Sequence, residues 1–319
     1  MKRLLRAALA ALAALPIPAV AQDYPTKPVR MLVGFSAGGG ADTLARIVAG
    51  RMGELLGQQI VVENRPGAGG TLAADALAKA APDGYTTYFA DTSILIAPSV
   101  YARVTYDPLK SFAPVGGACT LPLAIMANPA VPAQNAAELI ALLKAHPGKY
   151  SYGSPGFGTV HHLAFELFKS RAGVDVVHVP YKGASPIIPD IVSGQIPLAI
   201  MSASPALAQA RGGRLRPIGL TSPMKLADAP GWAALADTFP GFDASPRLFL
   251  IAPAGTPAAA IAKLNEALKG TLSARDVLDS FVKQGASATY STPDALGAEL
   301  AAELAKWSAA AKASGLKAQ

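Results

Sequence analysis

The chain has 319 residues, of which 51% are hydrophobic and 15% are charged, and its formal net charge is +7. A chain of this length and composition can bury a large core, in one large or two medium domains. Its Lys and Arg residues are scattered, with no basic cluster interleaved with aromatic residues, which argues against a nucleic-acid partner. Cys119 is the only cysteine, so a disulfide within the chain is excluded, and we expect a buried thiol.

Residues 1–21 have the organisation of a secretory signal peptide. A basic start is followed by a short apolar run and by an A-x-A site at residues 19–21. The alternative is a membrane anchor, but the run is too short to span a bilayer comfortably and Pro16 interrupts it. We therefore expect cleavage after Ala21, a soluble exported protein, and a mature net charge of +4 after the loss of three basic residues. This mildly basic balance favours an anionic small ligand.

Strands and helices alternate along the remaining sequence. The predicted strands are residues 29–33, 59–63, 85–90, 123–127, 150–153, 175–179, 198–201, 215–220 and 248–252. The predicted helices are residues 41–56, 71–80, 136–145, 159–171, 186–192, 257–268 and 293–312. This alternation predicts an α/β fold with mostly parallel sheets. No internal repeat or low-complexity linker marks a domain boundary.

Residues 34–38 read GFSAG, which has the form of the G-x-S-x-G turn that holds the nucleophile of many hydrolases. In such an enzyme Ser36 would need a histidine base and an orienting carboxylate. The α/β-hydrolases place that histidine late in the chain, whereas the last histidine here is His178. Barely one strand precedes Ser36, and no HGGG-type oxyanion segment lies upstream. A secreted serine hydrolase is therefore the unfavoured alternative, and we predict no catalytic residue.

Other site motifs are incomplete. The glycines at 38–40 are not followed by the Lys of a phosphate-binding P-loop, and neither glycine cluster completes G-x-G-x-x-G. The cysteine and the histidines do not have zinc-site spacing, and the adjacent His161 and His162 are better explained as structural. No cofactor and no metal are predicted.

Two glycine-rich turns, each between a strand and a helix, favour ligand binding. A glycine turn before a helix leaves backbone N–H groups free to bind an anion, as expected for residues 35–40. Asp42, in the first helical turn, would complement the helix dipole. The second turn spans residues 154–159, where the alternative is an ordinary turn with Thr159 as the helix N-cap. The two turns suggest two domains that present helix N-termini to one ligand.

Seven segments carry a family resemblance. In chain order they are YPTKPVR (24–30), GFSAGGGAD (34–42), VENRPGAGG (62–70), APDGYT (81–86), YDPLK (106–110), VHVPYKG (177–183) and APAGTP (252–257). Together they resemble, essentially end to end, the Bug family of periplasmic solute receptors, which serve tripartite tricarboxylate transporters.

The resemblance implies a type II periplasmic binding protein, with two α/β lobes that close on a ligand about a two-segment hinge. The first lobe would take residues 22–122 and 246–319, and the second residues 123–245. Family ligands are mostly carboxylates, among them dicarboxylates, aromatic acids and amino acids, with some neutral amides. They are held by backbone N–H groups, hydroxyls and bridging waters, and the partners are membrane transporter subunits. A monomer is expected. The implied ligand contacts are Phe35, Ser36, Gly39, Gly40, Thr92, Ser93, Ser154, Phe157, Gly158, Thr159, Met201 and Ser202.

The sequence departs from the family pattern at several of these positions. Phe157 stands where Asn is common, and Met201-Ser202 stand where Asp-Asn are common. Arg247 stands where the hinge usually has an aromatic residue, and it could pair with a ligand carboxylate or lie on the surface. We expect a ligand with one carboxylate and an apolar or aromatic body. A receptor that signals through a membrane sensor kinase is the alternative to a transport receptor.

Overall fold

The computed structural model describes residues 24–314 and residue 316. The predicted signal peptide, residues 1–21, lies outside the described residues. Within the described part, no helix has the length and apolar character needed to cross a bilayer.

Strands and helices alternate as the sequence predicts. The strands are β1 Val29–Val33, β2 Ile60–Asn64, β3 Thr86–Asp91, β4 Phe112–Thr120, β5 Leu123–Ala127, β6 Ser151–Ser154, β7 Val177–Pro180, β8 Leu198–Ser202, β9 Arg216–Leu220, β10 Arg247–Pro253 and β11 Ser287–Ala288. The α-helices are α1 Gly40–Leu56, α2 Thr71–Ala78, α3 Ser93–Val100, α4 Ala136–Ala145, α5 Val160–Ala172, α6 Ile187–Ser193, α7 Ala203–Arg211, α8 Ala258–Ser273, α9 Arg275–Lys283 and α10 Pro293–Ala313. The α/β class is confirmed.

The strands form two sheets, and each sheet is the centre of one lobe. The first lobe has the strand order β11-β4-β10-β3-β1-β2, and the second has β7-β6-β8-β5-β9. The chain passes from β4 to β5 through residues 121–122 and returns to β10 after residue 246. The ends of these two connections lie side by side, because Leu121 N–H donates to the carbonyl of Pro246 at 3.1 Å.

The prediction of mostly parallel sheets is wrong. In the part of the chain that the structure describes, the named strands form four parallel pairs and five antiparallel pairs. A parallel pair needs a crossover connection, usually a helix, between its strands. Strands β5 and β10 each enter their sheet from the other lobe, and both run antiparallel to their two neighbours.

Buried side chains connect the two lobes. One core cluster joins β1 and α1 of the first lobe to β8 and α7 of the second. Another contains α5 of the second lobe together with Trp307 from α10 of the first. Cys119 is fully buried on β4, as expected from the sequence. The lobes are therefore packed against each other, with the candidate site between them.

Candidate functional site

A cavity lies between the two lobes, where both sheets turn their carboxyl-end loops toward each other. It contains about 360 Å³ of space not filled by protein atoms, a volume that includes open solvent. We call it the main cavity. Its lining residues are Phe35, Gly39, Gly40, Ala41, Asp91, Leu121, Pro155, His161, Ala184, Ser202, Pro246 and Leu248.

The glycine turn forms the first-lobe side of the main cavity. Gly38 has a backbone φ of +80°, a conformation that residues other than glycine rarely adopt. The turn that contains it leads into α1. Gly39 is the N-cap of α1 and provides no side-chain cap. The first N–H groups of a helix have no acceptor inside the helix. The N–H groups of Gly40 and Ala41 therefore give this wall a partial positive charge that suits an anion.

Asp42 holds the glycine turn in place. Its Oδ2 accepts the Gly38 N–H at 2.9 Å, and its carboxylate also accepts from Arg46 and Asn64. Burial opposes its charge, but hydrogen bonds from Arg46, the Gly38 N–H and Asn64 outweigh that cost and lower the pKa of Asp42. Asp42 acts on the turn and is not among the residues that line the cavity.

The second-lobe side is formed by the turn before α5. Thr159 is the N-cap of α5, because its Oγ1 accepts the His162 N–H at 3.2 Å, and it also donates to the Gly156 carbonyl at 2.8 Å. Gly158 N–H donates to Nδ1 of His162 at 3.1 Å. Ser154 Oγ is 2.6 Å from Nε2 of His178. These polar groups stabilise the turn itself, which presents Pro155 and His161 to the main cavity.

The predicted contacts divide by position. Phe35, Gly39, Gly40 and Ser202 line the main cavity. Phe157 lines a second cavity, which also has Phe35 and Pro155 in its wall and is bordered by residues 67–70 and 180–183. The second cavity contains about 560 Å³ of unfilled space.

Thr92 and Ser93 are fully buried and bind the backbone of other segments. Thr92 Oγ1 accepts the Arg247 N–H at 2.9 Å, which joins β3 to the start of β10. Ser93 Oγ accepts the Val160 N–H at 3.1 Å, so a first-lobe hydroxyl caps a second-lobe helix. The structure does not bring these two side chains into the cavity lining. Met201 is fully buried among core residues, while the next residue of the strand, Ser202, faces the main cavity.

Ser36 lies at the contact between the lobes. Its Oγ is buried and has no hydrogen-bond partner among the described residues. Gly183 of the second lobe is so close that an added Cβ would lie 2.1 Å from this oxygen. A serine nucleophile needs a histidine within hydrogen-bonding distance, and Ser36 lacks one in the described part of the chain.

Arg247 lies outside the cavity lining. Leu248 pairs with Asp91 in the antiparallel register, and both line the main cavity. Side chains alternate along a strand, so Arg247 points to the other face of the sheet. There its Nε is 3.3 Å from Oε1 of Glu299, and its Nη1 donates to Oγ1 of Thr120 at 2.8 Å.

Two polar residues of the main cavity were not predicted as ligand contacts. Asp91 is 4% exposed, and burial raises the pKa of its carboxyl to about 6. His161 is 5% exposed, and burial lowers its pKa to about 3, so the ring is neutral at pH 7. Its Nε2 is 3.1 Å from Ser202 Oγ, while Nδ1 is buried without a partner. No group of three metal-ligating side chains occurs within the described residues.

The chain matches the family model described as "Tripartite tricarboxylate transporter family receptor" over residues 44–316. It is 33% identical to Protein BugT of Bordetella pertussis over 310 residues, which cover 96% of this chain and 95% of BugT. The solved structure of the periplasmic binding protein BugD matches with a TM-score of 0.89 and 31% identity, over 93% of this chain and 100% of BugD. That of R. palustris Rpa4515 with adipate matches with a TM-score of 0.89 and 30% identity, over 93% of this chain and 100% of Rpa4515. The chain therefore belongs to the family of tripartite tricarboxylate transporter receptors.

Proposed function

We propose that this protein is a periplasmic solute receptor, and that it binds a small organic acid in the main cavity and delivers it to the membrane subunits of a tripartite transporter. The observation that carries this proposal is the wall of free N–H groups at Gly40 and Ala41, which faces apolar and hydroxyl-bearing groups across the cleft between the lobes. The structure of the similar Rpa4515 with adipate supports a carboxylic acid as the ligand.

Within this function, the lobes would consist of residues 22–122 with 246–319 and of residues 123–245. The two chain crossings between the lobes, at residues 121–122 and near residue 246, support this division. Phe35, Gly39, Gly40 and Ser202 are assigned to direct ligand contact, since they line the main cavity. Ser36, Thr92, Ser93, Ser154, Gly158 and Thr159 are assigned to shaping the turns and joining the lobes. Met201 belongs to the core, Phe157 to the second cavity, and Arg247 is paired with Glu299.

The test uses two glycines of the same helix. At Gly40 an added Cβ would lie 2.7 Å from Ser202 Cβ and 2.8 Å from Leu121 Cδ2, so Gly40→Ala holds the lobes apart and crowds the cavity. At Gly50 an added Cβ has no neighbour within 4 Å, so Gly50→Ala is the matched control. Purified mature protein, stripped of co-purified ligand, is titrated calorimetrically with a panel of aliphatic and aromatic mono- and dicarboxylates.

If the receptor closes on its ligand, Gly40→Ala should weaken binding at least about tenfold, which corresponds to a loss of about 1.4 kcal/mol in binding free energy. Gly50→Ala should retain the wild-type affinity. Equal binding by both variants would contradict the proposed site. In a deletion strain, loss of uptake identifies a transport receptor, whereas loss of a transcriptional response with uptake intact identifies a sensor partner.

A further inference from the structure

The main cavity contains a buried carboxylate without a counter-charge. Asp91 ends β3 and is 4% exposed, and its Oδ1 accepts the Ser93 N–H at 3.0 Å. The Ser93 side chain also hydrogen-bonds the carboxylate, and among the described residues the Asp91 side chain forms no ion pair. A buried carboxylate that lacks a counter-charge is costly, so its presence in a ligand cavity requires an explanation.

The groups around Asp91 do not neutralise it. Tyr88 on the same strand and Tyr106 from the connection after α3 are buried, and burial raises the pKa of both phenols, so both are uncharged. His161 across the cleft is neutral at pH 7. On the neighbouring strand β10, Arg247 lies on the opposite face and is paired with Glu299. The lining of the main cavity, as far as the described residues define it, contains no Lys and no Arg.

One role of Asp91 is already explained. Its Oδ1 accepts an N–H at the start of α3, a hydrogen bond that stabilises the first turn of the helix. An asparagine would keep this bond through its own Oδ1 and would avoid the buried charge. The start of the helix therefore accounts for the hydrogen bonds from Ser93, and it does not account for the negative charge.

His161 adds a second buried polar group. Its ring is buried in the same lining, with Nε2 near Ser202 Oγ and Nδ1 unpartnered. A neutral imidazole has one donor and one acceptor nitrogen, so Nδ1 can bind a polar group of a ligand in either tautomer. The lining of the main cavity thus contains two kinds of polar surface. One is the anion-binding wall at the α1 N-terminus, and the other consists of the side chains of Asp91 and His161.

We propose that the main cavity selects acids that have a hydrogen-bond donor, an ammonium or a carboxamide, at the end opposite their carboxylate, and that Asp91 binds this donor. The inference rests on the proposed function and specifies its ligand class. The ligand carboxylate lies against the Gly40 and Ala41 N–H groups, and the donor lies against the carboxylate of Asp91. A dicarboxylate of the same length would place its second negative charge against Asp91, and this repulsion excludes it.

The test compares matched acids on wild-type protein and on Asp91→Asn. The probes are succinate, succinamate and 4-aminobutanoate, and the aromatic set terephthalate, 4-carbamoylbenzoate and 4-(aminomethyl)benzoate, titrated at neutral pH. Asp83→Asn is the control, because Asp83 is exposed and its Oδ1 accepts the Tyr85 N–H at 2.9 Å, the same type of bond that Asp91 makes.

The wild type and the control are expected to prefer the amide or ammonium acid over the dicarboxylate by at least about tenfold, and Asp91→Asn is expected to lose or reverse this preference. A wild-type preference for dicarboxylates, or a preference that Asp91→Asn leaves unchanged, overturns the inference and leaves the receptor function standing. No binding of any probe, together with no acid found by native mass spectrometry in unstripped protein, overturns the proposed function as well.

Discussion

Replacing Asp91 with Asn should stabilise the unliganded protein at neutral pH, and this gain should disappear in acid. Burial raises the pKa of the Asp91 carboxyl from its ordinary value of 3.8 to about 6. The folded state therefore holds this proton more tightly than the unfolded chain does. The resulting stabilisation is fully present below about pH 4 and is lost as the pH rises through about 6. The difference between the two pKa values corresponds to about 3 kcal/mol, at about 1.36 kcal/mol per pH unit.

The assay is urea unfolding of wild type, Asp91→Asn and the Asp83→Asn control, each measured near pH 4 and near pH 7.5. The free energy of unfolding of Asp91→Asn should exceed that of the wild type by up to about 3 kcal/mol at the higher pH and should match it at the lower. The buried histidines titrate in all three proteins, so their contribution cancels in the differences. A variant less stable than wild type at neutral pH would show that the Asp91 carboxylate is paired in the folded state, and the reasoning would fail.

Three further predictions follow from the same geometry. In calorimetric titrations, the affinity for 4-aminobutanoate should fall about tenfold per pH unit below pH 6 in the wild type, because Asp91 must lose its proton to bind an ammonium, and it should stay constant in Asp91→Asn. Arg247→Ala should change the affinity for carboxylates less than about twofold, since its guanidinium binds Glu299; a tenfold loss would place Arg247 in the site. Ser36→Ala should raise the free energy of unfolding by about 1 kcal/mol by removing a buried hydroxyl without a partner; destabilisation, seen in urea melts, would indicate a missed hydrogen bond.

Elements with a regular pattern could be predicted from the sequence, and elements with a broken pattern could not. Strand β1 and helix α4 have the predicted bounds. Strand β4 was missed because Gly116 and Gly117 interrupt it, and glycine is unusual inside a strand. The structure explains both, since added Cβ atoms would lie 2.7 Å from Asn265 Nδ2 and 2.6 Å from Ser291 Oγ. Helix α3 was missed because it contains Pro98. Helices α7 and α9 and the short strand β11 were also not predicted.

The part of the site that backbone groups form could be predicted from the sequence, and the part that side chains form was harder to predict. The glycine turn at residues 38–40 has a sequence signature, because consecutive glycines before a helix are rarely needed in an ordinary turn. Asp91 was missed because the direction of a side chain at a strand end depends on the register with its neighbour. The pairing of Asp91 with Leu248 sets that direction, and the two strands are far apart in the sequence. The same register decides that Arg247 points away from the cavity.

The position of Trp307 gives the protein an optical signal of its own. This residue is on α10 of the first lobe, is 1% exposed, and packs in a core cluster with α5 of the second lobe. Any rotation that separates the lobes must shift α5 against this indole and admit water, so the fluorescence maximum should move to the red. The other tryptophan, Trp232, is partly buried within the second lobe and can be replaced by Phe to leave a single emitter. Opening and closing rates then become measurable by stopped flow without an attached dye.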